Sequence, residues 1–246
     1  MIPLRDANPT RRRPVVTIGL IAACIAVFAW ELAIQSSQGE SGLERLYRDY
    51  GLTPASLTAG LRGDPAGHLA GDLFTVFSSM FLHGGWIHLV GNMLYLWIFG
   101  NNVEDRLGRF GFLLFYLGGG VVAAVSQVIV GPDSDVPVIG ASGAIAAVLG
   151  AYVVLYPRAR VLSLVFLGFF YQLLQVPAVI ILGFWFLLQL VSGVASLGVE
   201  SAAGGVALFA HIGGFVAGVA VGLLVRGAGP GGRPLPLRPT DGVGVG

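Results

Sequence analysis

Four polar side chains lie within or at the start of strongly apolar stretches: His88, Asn92, Ser142 and His211. Their types define a chemistry. A serine hydroxyl becomes a nucleophile when a neighbouring base accepts its proton, and an imidazole is such a base. An asparagine amide and a second imidazole can donate hydrogen bonds to a developing oxyanion. His88 and Asn92 stand one helical turn apart and share a face. Ser142 lies in Gly140-Ala141-Ser142-Gly143. Flanking glycines permit a tight loop that opens a helix, and the free N–H groups of a helix start favour a nearby anion. Polar groups are costly in hydrocarbon unless they find partners, so these four point to one shared, wet site.

Distance from the nearest arginines sets their depth. Ser142 precedes Arg158 by about 24 Å of helix, His211 precedes Arg226 by about 22 Å, and Asn92 precedes Arg106 by about 21 Å, at 1.5 Å per residue. His88 is one turn further. In a hydrocarbon core of about 30 Å, all four fall at one level below the face opposite those arginines. Gly214, Gly218 and Gly222 form a small-residue ridge after His211, and Ser142, Ala146 and Gly150 repeat at the same spacing. Ridges of this kind let helix backbones approach closely. Their contact brings Ser142 to His211. No acid accompanies either residue in its span, so the sequence allows a dyad and not a triad.

The elements that hold these groups are membrane helices. Of 246 residues, 55% are hydrophobic and only 11% charged. Soluble domains carry about 25% charge, so disorder, a coiled coil and an ordinary water-soluble enzyme are excluded. A net charge of +1 makes no electrostatic case for nucleic acid. The spacing predicts an all-α polytopic membrane protein with six spans, near 15–34, 86–101, 110–130, 142–156, 169–191 and 208–225. The first is too long for a signal-peptide core and lacks a clear cleavage site, so it is read as retained. Residues 161–177 are ambiguous, either an extension of the fifth helix or an interfacial segment. Leu43, Leu46, Tyr47 and Tyr50 share one face of a short interfacial helix inside the polar stretch 36–71. Residues 1–14 read as a polar leader, 15–226 as one helical domain and 227–246 as a disordered Gly/Pro-rich tail.

All 14 basic residues are arginine, and 11 of them collect on one side of the six spans. The positive-inside rule puts both termini in the cytoplasm. Phe184, Trp185 and Phe186 are candidates for a side gate against Trp86 or Leu89, and the loop 192–206 for a lid. Cys24 and Glu31 receive no role. A transporter using His83, His88 and His211 as proton or metal groups is a competing reading, weakened by the scarcity of buried carboxylates. The absence of H-E-x-x-H speaks against a zinc protease.

The stretch 81–94, containing His83-Gly84-Gly85-Trp86-Ile87-His88 and Asn92, resembles the H-x4-H-x3-N motif of the rhomboid family of intramembrane serine proteases. Asn102-Val103-Glu104-Asp105-Arg106-Leu107-Gly108 resembles the segment that follows it in that family. Gly140-Ala141-Ser142-Gly143-Ala144 is similar to the family's nucleophile motif, and Ala210-His211-Ile212-Gly213-Gly214 with Gly218 to its last-helix motif. The resemblance covers about residues 15–226. It implies a six-helix bundle with Ser142 as nucleophile and His211 as base. It implies an oxyanion site of His88, Asn92 and the Ser142 N–H, and His83 as a structural residue of the loop before the second helix. The implied reaction is peptide-bond hydrolysis in or near transmembrane segments of substrate proteins in the bilayer. Small residues are favoured before the cut, and neither metal nor cofactor is implied. A bacterial inner membrane is the expected location. Two departures stand out. Some members carry an aromatic residue four positions after the serine to stack on the histidine, and here it is Ala146. The Trp-Arg pair of some first loops has only a loose analogue in Tyr47-Arg48. A catalytically inactive family member that binds transmembrane segments is the alternative, and it would need neither Ser142 nor His211.

Overall fold

Small residues at four-residue spacing decide how the core assembles. The computed structural model describes residues 2–64, 68–167, 170–196 and 207–227. Helix α9 (Leu208–Gly227) lies against α7 (Ser142–Leu155). A methyl group at Gly214 would intrude on the Gly143 carbonyl, and one at Gly218 on the Ala147 backbone. Only hydrogen at these Cα atoms lets the two backbones meet this closely. The ridge on α9 therefore finds its partner as expected, although the α7 backbone it meets is that of Gly143, Ala147 and Ala151.

Helix α7 is the axis of the bundle. It is apolar on every side, and all its residues from Gly143 to Tyr152 are buried. A helix that is hydrophobic all round is expected at the centre of a structure. Against it stand α4 (Trp86–Tyr95), α6 (Arg109–Val130) and α8 (Ala178–Ser196), and α1 (Val15–Tyr50) packs on α4 and α6. Helix α4 runs through a π-turn at Leu96–Gly100 into α5 (Asn101–Leu107). Short helices α2 (Pro54–Arg62) and α3 (Leu69–Ser78) cover one end. Among the described residues three helices, α1, α6 and α9, are long and apolar enough to cross a membrane. The bent pair Leu69–Phe81 and Trp86–Leu107, at 81°, makes a fourth if it is one span. Helix α7 has 14 residues, about 21 Å.

Three readings need correction. The chain is not wholly α-helical: β1 (Ile2–Asp6), β2 (Arg160–Leu167) and β3 (Phe170–Pro177) form an antiparallel sheet in the order β1-β2-β3. Residues 160–177 thus form a hairpin, and the fifth helix begins at Ala178, not near 169. Val161, Val165 and Val176 suit a pleated strand better than a helix. The leader likewise contains a strand, drawn into order by pairing Ile2 with Leu164 and Asp6 with Val161. The stretch 36–71 is largely helical. Helix α1 turns at Gly39 (φ 70°) and continues to Tyr50, so the short helix at 43–50 is its bent end.

The N-terminus of α1 is capped from afar. The Glu104 carboxylate accepts the backbone N–H groups of Val16 (3.0 Å) and Thr17 (2.8 Å) and the Thr17 hydroxyl (2.8 Å). An anion there satisfies the free N–H groups and the positive end of the helix dipole. Asp105 accepts the N–H groups of Arg11 and Arg12, both at 3.1 Å. Asp6 turns inward to Tyr152 (3.0 Å) and Asn102. Burial pushes its carboxyl up to about 6, against the pull of those hydrogen bonds.

Candidate active site

The α7–α9 contact brings the Ser142 Oγ to 2.6 Å from the His211 Nε2. Ser142 opens α7, and the chain reaches it through Gly140 at φ 123°, a conformation that favours glycine. Gly140 also makes room for a neighbour. A Cβ there would stand 2.7 Å from the His88 Cε1 and Nε2, and 3.7 Å from the Ser142 Oγ. His88 and Ser142 therefore flank the same glycine. The Gly140 N–H donates to the Ser79 carbonyl at 2.8 Å, which fixes the loop.

His211 is 5% exposed, and its Nδ1 has no partner among the described residues. For Nε2 to accept the serine proton, the resting ring must carry its proton on Nδ1. Among the described residues no carboxylate meets that Nδ1. Instead the Trp185 ring of α8 sits 5.6 Å from the imidazole, tilted by 58°, and Tyr95 lies 6.0 Å beyond it. Trp185 supplies from α8 the aromatic contact that Ala146 lacks. Among the gate candidates, then, Trp185 faces inward. Phe186 packs on Phe215 (5.4 Å) of α9, and Trp86 on Phe28 (5.0 Å) of α1. Leu89 is buried in the core. The lid candidate has residues 197–206 outside the described residues, as has the tail from 228.

Asn92 is buried one turn after His88, and its Nδ2 donor has no partner among the described residues. A buried amide donor without an acceptor is ready for an incoming oxygen. His83 holds the loop ahead of α4. Its N–H donates to Glu31 Oε1 at 2.9 Å, its Nδ1 meets the Phe81 carbonyl at 3.1 Å, and its ring lies 5.1 Å from that of His88. The Tyr47 hydroxyl lies 3.3 Å from both Glu31 Oε2 and the His83 carbonyl. Glu31, without a role in the sequence, is thus the anchor of the histidine loop. Its signal was an acid closing an apolar run. Trp185 gave no signal beyond its neighbours' aromatic character. Cys24 is fully buried core.

A cavity of about 30 Å³ adjoins Ser142, bordered by Met80, Gly140, Gly143 and Ala210. That is space for about one water molecule.

The family model described as Rhomboid domain matches residues 70–228, which include every residue of this site except Glu31 and Tyr47. The chain is 34% identical over 101 residues to Rhomboid protein 1, mitochondrial, of Saccharomyces cerevisiae, covering 37% of this chain and 28% of that protein. It is 34% identical over 82 residues to the Putative rhomboid protease YdcA of Bacillus subtilis, covering 33% and 41%. To Rhomboid protease GluP of the same organism it is 39% identical over 90 residues, covering 36% and 17%. The matched stretch spans less than half the length of each of these relatives.

Proposed function

Because the chain belongs to the rhomboid family, whose members matched here include proteins named proteases, we propose that it is an intramembrane serine endopeptidase acting through Ser142 and His211. The 2.6 Å approach of Oγ to Nε2 carries this reading. Ser142 Oγ attacks the scissile carbonyl carbon while His211 Nε2 takes the hydroxyl proton. The carbonyl oxygen becomes an oxyanion, received by the Ser142 N–H, His88 and the unpartnered Asn92 amide. Collapse breaks the C–N bond, and His211 returns the proton to the leaving amine. Water, deprotonated by His211, then releases the acyl group and restores the hydroxyl. The substrates are transmembrane proteins, cut in or near their membrane segments.

The same reading includes six spans with both termini in the cytoplasm. Pairing of β1 with β2 supports it, since the N-terminus and the end of α7 then share one end of the bundle. Arg106 and Arg226 join them there through the Val225 and Val154 carbonyls. A bacterial cell membrane is the proposed location, supported by the Bacillus subtilis relatives, although mitochondrial relatives match as well.

The test is cleavage of a reporter with a helix-destabilised transmembrane segment by purified protein in liposomes, with chelator present. The wild type is expected to cut, and Ser142→Ala and His211→Ala to be inert. Cutting retained in Ser142→Ala refutes the nucleophile, and loss to chelator refutes a serine mechanism.

A further inference from the structure

The outward face of the sheet is graded from basic to apolar along its strands. Alternation puts Arg160, Leu162, Leu164 and Phe166 of β2 on one face. Their cross-strand partners on β3 are Pro177, Gln175, Leu173 and Tyr171, and on β1 Leu162 meets Arg5 and Leu164 meets Ile2. On β2 the other face packs inward through Val161 and Ser163, both fully buried, while β3 is exposed on both faces, Leu174 included. The outward side chains stay uncovered: Phe166 is 53% exposed, Leu173 58% and Tyr171 70%. Arg5 and Arg160 mark one end of this face and the aromatic pair the other. The two ends are six residues apart on β2, about 20 Å. That span matches a lipid headgroup plus most of one hydrocarbon leaflet, itself about 15 Å.

A cavity of about 610 Å³ opens at the basic end, bordered by Leu4, Arg5, Leu162, Gln175, Trp97 and Asn101. Asp6 also reaches it, with its carboxyl turned inward to Tyr152 and Asn102. Half-exposed Trp97 continues the cavity onto the apolar flank of the bundle, and β3 runs directly into α8, whose Val179, Ile180 and Leu187 are also exposed. The sheet face is therefore continuous with the lipid-facing surface of a membrane protein. We infer that this face is a binding site for one anionic phospholipid, its phosphate held by Arg5 and Arg160 and its acyl chains laid over Leu164, Phe166, Tyr171 and Leu173. A tryptophan at such a boundary, with arginines at headgroup depth, is a usual membrane-interface anchor.

Two measurements on the full chain test this independently of catalysis. Native Cys24 is fully buried, so Tyr171→Cys offers the reactive thiol for a nitroxide. In nanodiscs of phosphatidylcholine with phosphatidylglycerol, the label is expected to collide several-fold more with oxygen than with a water-soluble nickel chelate. Preference for nickel places the face in water, and shielding from both places a second copy or another segment over it. Either result overturns the inference. In native mass spectrometry the wild type is expected to retain one phosphatidylglycerol in preference to phosphatidylcholine. Arg5→Gln with Arg160→Gln should lose that retention at least fivefold, while Arg62→Gln at the far end keeps it. Equal retention in the double variant also overturns the inference.

Discussion

Replacing Gly140 by alanine tests whether the glycine two residues before Ser142, the proposed nucleophile, sets the position of His88. Two effects add. The backbone at φ 123° is one that alanine rarely adopts, a strain on the order of 1–3 kcal/mol. The new Cβ also stands 2.7 Å from two atoms of the His88 ring. Ordinary carbon contacts are about 3.5–4.0 Å, so the ring must retreat by roughly an ångström. A misplacement of that size costs about 100-fold in rate, comparable to loss of one oxyanion donor at about 100- to 1000-fold. Gly140→Ala is therefore expected to melt several degrees lower in detergent and to cleave the reporter about 100-fold more slowly in kcat/KM. His88→Ala should lose a similar factor. The two together should lose little more than either alone, because both act on one imidazole. A Gly140→Ala enzyme within twofold of wild type, or a double variant with multiplied losses, refutes this account of the loop.

Gly218→Leu drives a side chain into the Ala147 backbone. It should destabilise the bundle by several kcal/mol, read as a large drop in melting temperature, and a stable variant would mean that the α7–α9 contact is dispensable. Trp185→Ala removes the ring beside His211. It should lower kcat about tenfold and slow fluorophosphonate labelling of Ser142, with Trp185→Phe partly restoring both. Equal labelling in all three would assign Trp185 to packing alone. The Asp6 carboxyl, raised by burial from 3.8 to about 6, binds its proton more tightly in the folded chain than in the unfolded one. Its contribution is therefore greatest below about pH 4, falls as pH rises through about 6 and is level above, a loss on the order of 2–3 kcal/mol. Chemical denaturation from pH 4 to 8 should show this slope in wild type and not in Asp6→Asn.

Local spacing carried most of the site. His88 and Asn92 one turn apart, a serine between glycines and a histidine at the head of a glycine ridge are short-range patterns, and helix geometry turns them into faces and depths. Close packing of α7 on α9 follows from the same spacing, because small residues every fourth position permit one contact and bulky ones forbid it. Composition alone made the chain a membrane protein, since 11% charge cannot clothe a soluble surface.

What the sequence left open depends on partners distant in the chain. Glu31 reaches His83 across 52 residues, and Glu104 reaches Thr17 across 87. No periodicity encodes which buried acid meets which free N–H. Trp185 is one of three consecutive aromatics, and only the tilt of α8 against α9 selects it to face His211. The sheet was hidden for a related reason. An apolar run such as 161–177 fits a buried helix or a strand equally well by composition. A strand needs neighbours to take its backbone hydrogen bonds; β3 is one for β2, and the other is the N-terminal segment, some 160 residues away.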